Sequence, residues 1–509
     1  MTKKTIILTF LVFILALFAR CYLMNIKQGL HTDETFAFLL STNNKSGINV
    51  PFEYNQHYTA LDLKKKYGKE NNDIKSIVKD IKDIRTNAVD KLNPTLYYSL
   101  IRISQYNLTG DFDLNKLIER AFFLNLLIFI LSFFIMIKLL NLLDIEKKYI
   151  PFFLLVAFLN TCTLSIFIFI KPYILQEFAF LFLTYVFVLN IKNADNFLNI
   201  KNILLVVLSL TIALLSGYFS LIYISLLSVA YIAYCLKTKH INNILYFAGF
   251  LLLSFICVFI IYPDYFYVSS ISEHTSSKTD ILNYISGLGL RLILFFSTYL
   301  FYLPIILIVL YCIFQKKDKK GLSKLNLILW IVILNLIFAI LTYIATPNKI
   351  LRYMSPAFPL ISLIIPYLIT NLKNRSKIFL IGITCIVYIL GFIYSTKIES
   401  IDSAVEKKYP YAFYPNIENT FINTNCRPIA KAEVPIIIFT EKAFKVNNVV
   451  PYMKNSQSVM ISNYEKPVKL QENFIVLFDK DYIILPKNYE AVQTFHCQRF
   501  EGYELKKAE

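Results

Sequence analysis

Runs of about 20 apolar residues recur along most of this chain, and an α-helix needs a run of that length to cross the hydrocarbon core of a bilayer. A water-soluble domain has no way to bury so many of them. Over 509 residues, 56% of side chains are hydrophobic, 16% aromatic and only 17% charged, which lies outside the soluble globular range. The expectation is an α-helical polytopic membrane protein with about eleven transmembrane helices. The spans read as residues 5–24, 117–143, 150–170, 173–191, 202–216, 219–236, 244–262, 290–314, 325–345, 353–372 and 378–396. Lys3 and Lys4 before an apolar stretch also fit a signal peptide. Arg20 before Cys21 spoils a lipoprotein cleavage box, however, and many spans follow, so residues 1–24 read as an uncleaved first helix.

A net charge of +18 could point to nucleic acid. The placement of the cations argues against that partner, because they fall largely in short clusters between spans. Lys and Arg are retained on the cytoplasmic side of short loops. Lys3-Lys4, Lys147-Lys148, Lys192 with Lys201, Lys237 with Lys239, Lys316 through Lys324 and Lys373 through Lys377 occupy alternate loops under this count. The pattern predicts a protein of the cytoplasmic (inner) membrane with its N-terminus in the cytoplasm. Loop 25–116, the links at 171–173 and 217–218, loops 263–289 and 346–352, and the region from 397 then lie outside.

Two domains follow from the composition. Residues 1–396 read as the membrane domain, and 397–509, where charges of both signs alternate with β-rich runs at 434–440, 458–462 and 473–478, as a small soluble α/β domain. Six of the eight cysteines lie in or at the ends of spans. Cys426 and Cys497 lie in the soluble domain on the predicted oxidising side and are expected to pair. Within the first external loop, Ile74, Ile77, Val78, Ile81, Ile84, Ala88 and Val89 recur at helical spacing among Lys and Asp, an external amphipathic helix. It either packs on the protein's own surface or lies in the headgroup layer. The proline-started segment Asn93 to Leu100 is too short for a span and reads as a second interfacial helix.

The acidic pair Asp33-Glu34 lies just beyond the first span. Such residues often cap a helix and complement its dipole. Lys171-Pro172-Tyr173 and Arg352-Tyr353 each open a span at its outer end, where cations and tyrosines commonly anchor helices. Their meeting on one side of the membrane favours a site: carboxylates to take a proton, cations to meet a negative group. Glu177 lies one turn inside its span, and an ionisable residue at that depth is a functional candidate, the alternative being a neutral carboxyl bonded to a neighbouring helix. His31 and His57 could bind metal beside the acidic pair, but no clustered ligand spacing supports a metal site.

In this order and sidedness the chain resembles the integral-membrane glycosyltransferases of the GT-C class, especially bacterial relatives of dolichyl-phosphate-mannose protein mannosyltransferases and of the lipid A aminoarabinose transferase. The class has an Asp-Glu pair after its first span, matched by Asp33-Glu34. Its His-Pro-Pro-Leu-Tyr-Tyr segment is matched in altered form by Asn93-Pro94-Thr95-Leu96-Tyr97-Tyr98, its Arg-Pro-Tyr element by Lys171-Pro172-Tyr173, and its Arg-Tyr-x-x-Pro element by Arg352-Tyr353-Met354-Ser355-Pro356. Asn93 stands for the usual His and Thr95 for the second Pro. Lys171 for Arg keeps the charge and loses the planar fork.

The resemblance implies a sugar donor held on a polyprenyl phosphate in the bilayer and an extracytoplasmic acceptor, joined by direct displacement with inversion. Asp33 is the implied base with Glu34 assisting it. Arg352, Tyr353, Lys171 and Tyr173 are implied at the donor phosphate, and Asn93, Tyr97, His31 and Glu177 at the substrates. No cofactor is required, and a divalent metal on the acidic pair stays open. A lipid-linked sugar flippase or transporter, an envelope polysaccharide polymerase or ligase, and a scaffold are the rival readings. Transporters tend to show internal repeats and mid-membrane charges, and no clear repeat is visible here.

Overall fold

The structure, a computed structural model, describes residues 2–26, 30, 32–42, 53–69, 71–87, 96–108, 113–266, 326–345, 353–372, 374–395, 426–440, 443–462, 473–479, 488–497 and 500–508. The described helices, in chain order, are α1 (Lys3–Ile26), α2 (Thr32–Thr42), α3 (Ala60–Lys64), α4 (Ile74–Asn87), α5 (Leu96–Ser104), α6 (Leu114–Leu142), α7 (Ile150–Phe158), α8 (Thr161–Ile168), α9 (Tyr173–Lys192) and α10 (Ile200–Ser216). They continue with α11 (Ser220–Thr238), α12 (Ile241–Ile261), α13 (Asn326–Ala345), α14 (Phe358–Ile361), α15 (Ile364–Thr370), α16 (Asn374–Ser395) and α17 (Arg427–Lys431). The strands are β1 (His57–Thr59), β2 (Ile436–Phe439), β3 (Ser458–Ser462), β4 (Asn473–Asp479), β5 (Tyr489–Cys497) and β6 (Phe500–Lys507).

The chain is an integral membrane protein. Among the described residues six helices are long and apolar enough to cross a bilayer, α1, α6, α9, α11, α12 and α13, and the bent pair α7 and α8 makes a seventh if it is one span. Ile6, Phe10 and Phe18 on α1 and Leu245, Leu252 and Ile260 on α12 are more than half exposed, as a lipid-facing surface would be. The expected span 290–314 lies outside the described residues.

Two compact units divide the chain. One comprises Met1–Ile26, Lys91–Tyr97 and Asn125–Ile417, the other Lys27–Asp90, Tyr98–Leu124 and Glu418–Glu509. In the first, two of the expected spans are broken, each for a readable reason. The run 150–170 bends by 59° between α7 and α8. Asn160 caps α8 by accepting from the Thr163 N–H at 2.9 Å, and its amide donates to the carbonyls of Val156 and Ala157 at 3.2 and 2.7 Å. A break among apolar helices frees backbone groups that water cannot satisfy, and a capping Asn supplies both a donor and an acceptor. The run 353–372 contains Pro356, Pro359 and Pro366, each lacking a backbone donor, and folds as a 3-10 turn (Ser355–Ala357) followed by α14 and α15. Ser362 and Thr370 hydroxyls donate to the Pro359 and Pro366 carbonyls at 2.8 Å each.

The second unit is organised by a six-stranded mixed sheet in the order β1-β3-β2-β4-β6-β5. Strands β3, β2 and β4 run parallel, whereas β1, β6 and β5 add antiparallel. The central strand β4 reads Phe-Ile-Val-Leu-Phe and is buried on both faces, as a parallel core strand is expected to be. Its alternate residues Phe474, Val476 and Phe478 share a core with Ile437, Met460 and Leu505. A disulfide joins Cys426 at the start of α17 to Cys497 at the end of β5, 71 residues apart.

Helix α4 packs against α2 and buries Ile77 and Ile84, while Ile74 and Val78 stay 63% and 46% exposed. It is tied to α5 by a fully buried Arg102. That guanidinium donates to the Asp80 carboxylate at 2.7 Å, to the Asn72 and Gln105 side chains at 2.6 and 3.1 Å, and to the Asn71 carbonyl at 2.8 Å. A buried cation is tolerable when paired and fully hydrogen-bonded in this way.

Candidate functional site

Asp33 and Glu34 occupy the first turn of α2, the position a dipole-complementing acid would take. Their environments differ. Glu34 is completely buried, whereas Asp33 is only half-buried. Capping alone does not call for burying one of the pair. The accessible carboxyl is the one able to meet a substrate, and the enclosed one can orient it.

A second set of candidates converges in the other unit. Lys171 and Tyr173 lie at the junction of α8 and α9 and are buried, 8% and 7% exposed. Pro172 starts α9 there, a position where its missing N–H costs nothing. Tyr173 stacks on Phe169 with ring centroids 6.1 Å apart and meets Tyr353 edge-on at 6.0 Å, and Tyr353 leans on Phe219 at 5.1 Å. The 3-10 turn that follows Tyr353 packs against α9. Two segments separated by some 180 residues therefore form one aromatic row, and the buried Lys171 lies two residues before Tyr173. The first turn of α9 is held from behind: the Gln176 amide donates to the Ser216 carbonyl at 3.0 Å, at the end of α10. Gly217 makes room for this bond, since a Cβ there would lie 2.0 Å from the Gln176 amide nitrogen.

Glu177, four residues after Tyr173 and on the same face of α9, is buried, and its Oε2 has no hydrogen-bond partner. Its counter-charge is Arg20 of α1, which is 1% exposed; the two lie in coulombic range of each other. Arg20 also donates to the Ala16 and Phe158 carbonyls at 3.1 Å each, and its guanidinium lies 3.7 Å from the Phe129 ring centroid. It thereby caps the C-terminal end of α7 at the bend. Sequence reasoning passed over Arg20 as a site residue, although a lone guanidinium inside an apolar run is itself a signal.

Tyr97 is fully buried and donates to Asn125 Oδ1 at 2.8 Å; the Asn125 amide passes the chain on to the Phe167 carbonyl at 2.8 Å. Its hydroxyl thus ties the start of α5 to α6. His31, Asn93 and Arg352 lie outside the described residues. His57 opens β1 and is exposed. Among the described residues no group of three or more His, Cys, Asp or Glu could hold a metal ion.

No family model matches the chain. No curated protein matches it either. Solved structures do. The chain is similar to ArnT from Cupriavidus metallidurans bound to undecaprenyl phosphate, with a TM-score of 0.52 and 10% identity over 97% of both chains. It is similar to the apo state of the same protein, with a TM-score of 0.53 and 11% identity over 97% of both chains. ArnT, the lipid A aminoarabinose transferase, is a GT-C enzyme, and the likeness spans both the helices and the C-terminal sheet. At this identity the chain shares the fold, and the resemblance to the GT-C class met in its motifs extends to its architecture.

Proposed function

We propose that the chain is a membrane glycosyltransferase that moves a sugar from a polyprenyl-phosphate donor to an extracytoplasmic acceptor with inversion. The observation that carries this reading is the meeting of Tyr173 with Tyr353, residues from two separate class motifs, in one row of the helical unit, with buried Lys171 two residues before Tyr173. Likeness to a protein solved with undecaprenyl phosphate supports the same donor class.

In this reading the half-buried Asp33 takes the proton of the acceptor hydroxyl as its oxygen attacks the anomeric carbon. The bond from that carbon to the phosphate oxygen breaks with its electron pair, and the lipid phosphate leaves as an anion. Lys171 and Arg352 stabilise the charge, with the Tyr173 and Tyr353 hydroxyls donating to it. Glu34 orients Asp33 from inside α2. Asn93 and His31 contact the acceptor side, Tyr97 supports that segment, and Glu177 with Arg20 fixes the first turn of α9 behind the phosphate. The chemistry needs no cofactor. Residues 1–396 form the transmembrane catalytic domain with about eleven spans, and 397–509 the extracytoplasmic one. The chain then sits in the cytoplasmic membrane with its N-terminus inside. Exposed Ile74 and Val78 would let α4 lie in the outer headgroup layer.

Titration of the purified protein with undecaprenyl phosphate tests the donor half of the reading. Lys171→Met is expected to weaken binding at least tenfold, about 1.4 kcal/mol. Unchanged affinity would remove the phosphate assignment.

A further inference from the structure

Residues 55–67, between the acid-bearing helix α2 and helix α4, are built into the C-terminal sheet. Asn55, at φ 64°, takes the left-handed conformation that Asn tolerates better than most residues. Its N–H donates to the Ile461 carbonyl at 2.7 Å and its Oδ1 accepts from the Ser462 hydroxyl at 2.9 Å. Strand β1 then joins the edge of the sheet, His57 opposite Met460 and Thr59 opposite Ser458. The N–H groups of Ala60 and Leu61 donate to the Gln457 and Asn455 carbonyls at 2.9 and 3.2 Å. The buried Lys64 ammonium bonds the Met453 carbonyl and Asn455 Oδ1.

The last stitch is a hydrogen bond between side chains, Tyr67 Oη donating to Asn447 Oδ1 at 2.8 Å across 380 residues of sequence. Both residues are 1% exposed, and burial pushes the Tyr67 phenol above its ordinary range, keeping it a donor. Helix α2 packs on both sides of this bond, against the 3-10 turn Lys65–Tyr67 that carries the donor and the 3-10 turn Ala443–Asn448 that carries the acceptor. Apolar contact holds a helix against a surface without fixing its rotation. A directional bond between buried side chains fixes the two turns relative to each other and so the seat on which α2 rests.

We propose that Tyr67 and Asn447 are positioning residues: through their bond the C-terminal domain sets the placement of α2 and thereby of Asp33. This rests on the reading of Asp33 as the base. A shift of about 1 Å in a reacting group can cost roughly a hundredfold in rate, so the tail is part of the catalytic machinery without touching substrate.

Tyr67→Phe and Asn447→Leu in the full-length purified protein test this with two readouts. In hydrogen exchange, peptides covering 32–42 are expected to exchange at least tenfold faster in both variants, while strands β2 and β4 keep wild-type protection. In steady-state assays with a polyprenyl-phosphate sugar that the wild type turns over, kcat is expected to fall at least tenfold with the donor KM within twofold. The double variant should lose no more than either single one, as for two groups acting through one bond. Unchanged exchange in 32–42, loss of protection across the whole sheet, or a kcat within twofold of wild type would overturn the proposal. Should the variants fail to accumulate, Asn447→Ser, which shortens the acceptor without emptying the site, is read by the same criteria. Asp33→Asn is assayed alongside; if it transfers at the wild-type rate, the base assignment fails while the exchange data still decide whether the bond places α2.

Discussion

Replacing Arg20 with Met tests how the bend between α7 and α8 and the start of α9 are held. The substitution keeps an unbranched apolar stem and removes the donor to the Ala16 and Phe158 carbonyls, the cation over Phe129 and the charge in coulombic range of Glu177. Arg20 and Glu177 interact through space without a contact ion pair, so the larger loss is that of the hydrogen bond to the helix-end carbonyl. The stranded Phe158 carbonyl costs about 1–3 kcal/mol. Glu177→Gln is expected to cost less, since Arg20 keeps its two carbonyl acceptors and its ring. In Arg20→Met/Glu177→Gln no lone charge is left, so the double variant should be more stable than Arg20→Met alone, with a coupling energy of about 1 kcal/mol. Unfolding of detergent-solubilised protein by increasing SDS measures all four members of the cycle. Costs that add to within about 0.5 kcal/mol would refute the pairing and leave Glu177 without its counter-ion.

Three further outcomes are expected. Gly217→Ala drives a Cβ into the Gln176 amide, so Gln176 must leave the Ser216 carbonyl; a loss of about 1–3 kcal/mol in the same SDS titration and a raised donor KM are expected. Cys426→Ser opens a 71-residue loop and is expected to cost the C-terminal domain about 4 kcal/mol, read as earlier proteolysis of the tail. Arg352→Ala should weaken undecaprenyl phosphate binding and slow turnover together, and unchanged affinity would reduce Arg352 to an interface anchor.

Much of the described helical architecture is legible in the sequence, because spans are written in apolar runs. The elements it hides are those fixed from a distance. Strand β1 has three residues and exists only because β3 pairs with it, some 400 positions away, so no local pattern announces it. Strands β5 and β6 were equally unmarked: β5 is an exposed edge with a bulge near Val492, which breaks the period-two alternation. The broken run 353–372 does carry its signal in three prolines, which a hydropathy window averages away.

At the candidate site, Lys171-Pro172-Tyr173 and Tyr353 are visible as motifs. The contact of Tyr173 with Tyr353 is a tertiary fact that no local pattern states. Arg20, Tyr67 and Asn447 escaped notice because each draws its significance from a partner more than a hundred residues away.

The proposed reaction breaks the bond between a sugar and a polyprenyl phosphate with Asp33 as the base. Purified protein supplied with radiolabelled polyprenyl-phosphate sugars and a membrane extract as acceptor is assayed for free polyprenyl phosphate and transferred label. The wild type should produce both in equal amounts, and Asp33→Asn should reduce them by roughly a hundredfold or more. Transfer by Asp33→Asn near the wild-type rate would contradict the claim.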